Sequence, residues 1–223
     1  MEFGMLCWGE TKGVERVRLL EAPFWKITVP YGKSGRLRRL RLRIAAGKLK
    51  RLGVTQAVLP ENFSYRETLE NVGIFPVSTL ALRREIAADW AMAAGREGSS
   101  AAVRADAMTP EVVRTVTELS LRRRYILLSV PRGGEELARR LRREYGVSVQ
   151  LHPGRGEVER CGVVVAFAPW EGRSDLRLWD EKQDLPPLRL PPGQEEALPE
   201  GLDRGQLIAA LRRMGAVKRV EVG

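Results

Sequence analysis

The chain has a single histidine, His152, and only two cysteines, Cys7 and Cys161, in 223 residues. So sparse a thiol content argues against a structural disulfide. Two distant thiols and one imidazole do not make a zinc site of the usual spacing, and no metal site is expected. Each cysteine sits in an apolar run, where a thiol behaves as a small buried hydrophobe. No apolar stretch reaches the roughly 18–20 residues a membrane helix needs. The opening "MEFGMLCWGE" lacks a basic region followed by an apolar one, so a cytoplasmic address without a membrane partner is the expectation. No G-x-G-x-x-G occurs. A dinucleotide cofactor in the usual position therefore has no support, and no cofactor is expected.

Positive charge is what the chain has in excess. Lys and Arg number 38 against 28 Asp and Glu, for a net charge of +10 and a pI near 10.2. Such a balance attracts nucleic acid, anionic surfaces or phosphorylated ligands without choosing among them. Hydrophobic residues at 43% and charged residues at 30% place the chain among globular proteins. Its length suits one large domain or two small ones.

From Trp25 a unit recurs: apolar strand, proline, helix, glycine, next strand. "WKITVP", "VTQAVLP" and "IFPVS" are strands of a first half, and "AAVRA", "YILLSVP", "VSVQLHP" and "CGVVVAFAP" those of a second. Amphipathic stretches lie between them. Proline follows the strand at Pro30, Pro60, Pro131, Pro153 and Pro169, where it ends the ladder and presets the next turn. Short apolar runs alternating with helices mark a parallel sheet covered on both faces. The reading is a doubly wound, Rossmann-like, mostly parallel α/β sheet of two similar halves. These halves, 24–98 and 99–172, lie within a domain spanning 1–172, with "GREGSS" at 95–100 as a hinge. "EFGMLCW" and "VERVRLL" around "GETKG" read as an N-terminal β-hairpin. The Pro-rich, acidic segment from 173 reads as extended chain, with "DLRLWD" as an antiparallel edge strand. A short helix and a strand, "VKRVEV", close the chain and pack on the same domain, the strand against the hairpin.

Ligands of open α/β sheets bind beyond the carboxyl ends of the strands. That rule selects Lys33, Ser34, Asn62, Asp106, Arg132 and His152 as ligand-binding candidates. "GKSG" at 32–35 has the outline of a phosphate loop, but Ile27 stands where the loop's first glycine is required. A single phosphate at the helix start, held by amides, Lys33 and arginines, remains. Catalytic inventories are thin: one histidine, and no serine or cysteine in a strand-to-helix elbow.

Between Lys33 and Arg51 there are nine positive residues and no acid. Arginines in a helix's first turn oppose the dipole, so this helix is unlike the others. Leu37, Leu40, Ile44 and Leu52, widened by Leu42, Ala45 and Leu49, read as its buried stripe. Arg36, Arg39, Arg43 and Lys50 then form an outward cationic face, available to nucleic acid or masked by the acidic segment at 175–203. The function these features favour is a non-catalytic binding or regulatory protein. It would take a small phosphorylated ligand or a protein partner at the strand-end rim. Nucleic-acid binding by the basic helix and a small-molecule transferase are the alternatives.

Overall fold

The computed structural model describes residues 2–32, 34–95 and 100–223. Lys33 and most of the 95–100 hinge lie outside the described residues. The chain divides into two compact units, Met1–Thr79 with Arg189–Val220, and Leu80–Leu188 with Glu221–Gly223. Each unit closes its own five-stranded sheet among the described residues. The protein is thus an α/β protein of Rossmann-like, mostly parallel type, with one sheet per half.

The first unit runs β1 (Phe3–Gly9), β2 (Gly13–Leu19), β3 (Ala22–Pro30), α1 (Gly35–Arg51), β4 (Gln56–Val58), α2 (Arg66–Glu70) and β5 (Phe75–Pro76). Its sheet order is β2-β3-β1-β4-β5, parallel except for β2. The N-terminal hairpin lies one strand later than the sequence suggests. β2 pairs antiparallel with β3 through the two-residue turn Leu20–Glu21, whose residues both have positive φ, the twist a two-residue hairpin requires. β3 then inserts between β2 and β1, parallel to β1 over seven residue pairs. Burial explains the choice. β3 buries Phe24, Ile27 and Val29, whereas β2 carries Glu15, Arg16 and Arg18 exposed. The apolar strand takes the interior position and the charged one the edge.

Between sheet and helices, Leu6, Ile27, Val29, Leu42, Ala45, Ala46, Leu49, Leu69 and Ile74 form one core cluster. α1 therefore buries Leu42, Ala45, Ala46 and Leu49, while Leu37, Leu40, Ile44 and Leu52 are 46%, 54%, 46% and 37% exposed. Of the stripe expected from spacing, the widening residues Leu42, Ala45 and Leu49 are buried and its four leading residues are not. Small Ala45 and Ala46 let the helix approach the strands, and Leu49 lies over Gly4, where a Cβ would stand 3.2 Å from its Cδ1.

The second unit runs α3 (Leu80–Glu85), α4 (Ala87–Ala94), β6 (Ala101–Arg104), α5 (Pro110–Ser120), β7 (Ile126–Ser129), α6 (Gly134–Tyr145), β8 (Val149–Leu151), α7 (Arg155–Glu159), β9 (Val163–Ala166) and β10 (Leu176–Arg177). The stretch 80–94 is two helices and not one. The sheet order β10-β9-β6-β7-β8 is parallel throughout, so the edge strand in "DLRLWD" is parallel to its neighbour. Strand order reverses between β6 and β9.

The remaining segment is more structured than extended chain. β11 (Leu188–Arg189), α8 (Pro192–Glu195), α9 (Arg204–Arg213) and β12 (Glu221–Val222) follow. β12 pairs with β11 and not with the N-terminal strands. α9 returns to the first unit. Gln206 Oε1 accepts from Leu59 N at 3.0 Å, and the Arg213 guanidinium lies 5.9 Å over the Phe3 ring.

Candidate functional site

At the carboxyl ends of β1, β3 and β4 four aromatic side chains converge. Trp8 is next to last in β1, Tyr31 follows β3, and Phe63 and Tyr65 lie between β4 and α2. The Trp8 ring centroid is 6.2 Å from Tyr31 in a stacked pair, 6.0 Å from Phe63 and 6.4 Å edge-on from Tyr65. Phe63 and Tyr65 meet at 5.9 Å. With Arg38, Asn62 and Ser64 these rings line a cavity of about 250 Å³. The place follows from topology, because β3 and β4 leave β1 on opposite sides and their following loops diverge there.

Two arginines hold the turn that carries Tyr31. Arg38 Nε donates to the Gly32 carbonyl at 2.8 Å, and Arg41 donates to the carbonyls of Pro30 and Tyr31 at 3.2 and 2.8 Å. A Cβ on Gly32 would stand 2.9 Å from Arg38 Cγ, so glycine is what permits the close pass. Ser34 caps α1, its hydroxyl accepting from Leu37 N at 3.4 Å. The first turn of α1 holds no acid, so its positive dipole end is unneutralised. Asn62 sits at φ +55°, a left-handed conformation that asparagine tolerates. The wall has no carboxylate, thiol or imidazole. Cys7 precedes Trp8 but points to the other face of the sheet, and burial pushes its thiol above the usual range, against the opposing pull of Lys26. A protonated thiol is a poor nucleophile.

The other candidates fall in the second unit. Arg132 and His152 share a cavity of about 190 Å³ with Gly133, Glu135, Glu136 and Arg139. Both glutamates stand in the first turn of α6, where they offset the attraction of an anion. Asp106 is not on that wall. It faces Arg104 Nη2 at 4.0 Å, and the Arg104 guanidinium lies 5.1 Å over the Trp170 ring. Within the second unit, then, Arg132 and His152 share a cavity and Asp106 does not line it. Only Asn62 lines the aromatic cavity, Ser34 shapes the turn beside it, and Lys33 is outside the described residues. Trp8, Tyr31, Phe63 and Tyr65 are apolar or amphipathic rings that a rule selecting polar residues at strand ends passes over, and Arg38 lies inside α1, beyond the post-strand positions that rule selects. The available signal was aromatic: rings directly at three strand ends in a chain with only 6% aromatics.

Gly133, at φ +85°, precedes α6, and a Cβ there would stand 2.9 Å from Met108 Cγ. Gly133→Ala is expected to cost about 1–2 kcal/mol from the left-handed backbone alone, read as a lower denaturant midpoint.

On α1, Arg36, Arg39, Arg43 and Lys50 are all exposed. None of the helix's cations forms an ion pair among the described residues. Four acids of the 175–203 segment have other partners: Asp175 pairs with Arg173, Asp180 with Arg177 and Glu195 with Arg204, and Asp203 caps α9. No described helix is long and apolar enough to cross a membrane.

No protein-family model matches the chain, and no curated protein sequence does. Among solved structures the chain is similar to unliganded arylmalonate decarboxylase, at 15% identity over 67% of this chain and 86% of that one, with a TM-score of 0.28. It is also similar to L-tryptophan dehydrogenase from Nostoc punctiforme, at 14% identity over 74% of this chain and 55% of that one, with the same TM-score. Likeness at this level carries neither substrate nor chemistry to the chain.

Proposed function

We propose that this chain is a non-catalytic binding protein for a small planar anion, a single ring bearing a carboxylate or phosphate, held at the carboxyl end of the first sheet. The observation that carries this reading is the set of rings around Trp8 with the Arg38 guanidinium on the same wall. Rings offer stacking faces worth about 1–3 kcal/mol to an aromatic ligand. A hydrogen bond to a charged group adds about 1.5–3 kcal/mol, and the uncompensated N-terminus of α1 favours the same sign of charge. Binding rather than turnover fits a wall made of rings, an arginine, an asparagine and a serine, without a carboxylate, thiol or imidazole. A volume of about 250 Å³ lies just below the ~300–1,000 Å³ of drug-sized pockets and suits one ring.

The test is thermal shift and calorimetry with aromatic carboxylates, nucleoside monophosphates and inorganic phosphate. Ring-bearing anions are expected to raise the melting temperature, and inorganic phosphate is not. Trp8→Ala and Arg38→Gln should each weaken the best ligand by about tenfold or more. A panel in which nothing binds, or binding that survives both substitutions, rejects the reading.

A further inference from the structure

A second surface of the first unit has no role in that reading. Because β2 and β3 are joined by a two-residue turn, no crossover helix lies between them, and the helix layer over this sheet ends at α1. The edge of α1 and the bared strands enclose a groove of about 230 Å³ lined by Lys12, Val14, Val29, Ile44, Ala45 and Lys48, among others. Ile44, at 46% exposure, lines this groove with Val14 at 38%, while Leu37 and Leu40, at 46% and 54%, lie on the same helix outside its lining. Residues at i, i+3 and i+7 share one helix flank, so these apolar side chains form a stripe and not scattered exceptions. The surroundings carry charge of one sign. α1 contains eight Lys and Arg and no acid, and none of its cations is ion-paired among the described residues. Lys12 stands at the far rim.

We propose that this groove docks an acidic amphipathic helix of a partner protein, which supplies the helix layer that the β2–β3 hairpin omits. Its apolar face would lie on Val14, Leu37, Leu40 and Ile44, and its flanking carboxylates would meet Lys12, Lys48 and the α1 arginines. This is helix-in-groove recognition, in which apolar anchors at i, i+3, i+4 and i+7 supply affinity and complementary charge supplies rate and specificity. Nucleic acid accounts for the charge but leaves the leucines unexplained, since a phosphate backbone rewards cations alone. A second copy of this chain presents the same cationic helix and is repelled.

The probe is a fluorescent synthetic helical peptide with leucines at i, i+3, i+4 and i+7 and glutamates on both flanks. It is compared with its Glu→Lys twin and with a duplex oligonucleotide, by anisotropy. The acidic peptide is expected to bind saturably and the basic twin is not. Ile44→Glu should weaken binding about tenfold or more, and Lys12→Glu combined with Lys48→Glu by a similar factor. Lys12 and Ile44 are exposed and Lys48 is half-buried at the groove, so melting temperatures should change little. Trp8→Ala should leave peptide binding intact, which separates this surface from the ring cavity. Absence of saturable peptide binding, or binding unaffected by Ile44→Glu, overturns the proposal. So does oligonucleotide binding that the peptide does not displace and that Leu37→Gln, Leu40→Gln and Ile44→Gln together leave unchanged. That last result assigns the face to phosphate.

Discussion

Leu49→Ala is expected to destabilise the first unit by about 2–5 kcal/mol, whereas Leu40→Ala, on the same helix, should stay within about 0.5 kcal/mol. Leu49 is fully buried in the cluster that holds Leu6, Ile27, Ala57 and Ile74, and it occupies the space a side chain at Gly4 would need. Truncation there leaves a cavity under rigid strands that cannot collapse to fill it. Leu40 is 54% exposed and loses little contact on truncation. Denaturant unfolding of both variants, followed by circular dichroism, checks the pair. Equal losses would mean that α1 is rotated from the orientation described, and with it the apolar stripe of the proposed docking groove.

Gln206→Leu should cost about 1–3 kcal/mol although it adds apolar surface to a buried position. Gln206 Oε1 accepts from the buried Leu59 N–H at 3.0 Å, and Nε2 donates to Asp203 Oδ2 at 3.0 Å. The leucine side chain leaves an amide hydrogen in the core without a partner, and that desolvation is not recovered by packing. The same Asp203 caps α9, accepting from Gln206 N at 2.9 Å, so the cap and the strand contact are joined through one side chain. Asp203→Ala should therefore lose more than the ~1 kcal/mol of an ordinary cap. A Gln206→Leu midpoint equal to that of the unsubstituted protein would show that the link between α9 and the strand end is not structural.

The order of strands was legible from residue 25 to 169, because proline and glycine punctuate short apolar runs, but the stretch 80–94 divides into two helices and the expected Gly-Arg loop before β9 holds the short helix α7. The second half could be followed strand by strand: "AAVRA", "YILLSVP", "VSVQLHP" and "CGVVVAFAP" become β6 to β9. Pairing was less legible. "EFGMLCW" and "VERVRLL" are neighbours in sequence, but the more apolar β3 outcompetes β2 for the place beside β1. That contest is between whole strands, and no local signal reports it. Prolines in the tail point to extended chain, yet Leu188, Leu190 and Leu202 are buried, and burial of those side chains holds it.

The candidate site was legible only in part. The rule about strand ends found Asn62 and the turn at Ser34, and it directed attention to polar residues where rings do the lining. Arg132 and His152 obey the same rule in the second unit, but with Glu135 and Glu136 on the wall of their cavity.

By itself the sequence determined the α/β class, the exclusion of a phosphate loop at residues 32–35 and a helix with eight cations and no acid, since these follow from spacing, composition and count. Tertiary structure alone decided which face of that helix is buried and which rings meet at the strand ends. α1 has apolar residues on several sides, and only the fit of Ala45, Ala46 and Leu49 against the strands selects among them. Trp8, Tyr31 and Phe63 come together because β1, β3 and β4 are adjacent in the sheet, an adjacency that chain order does not contain.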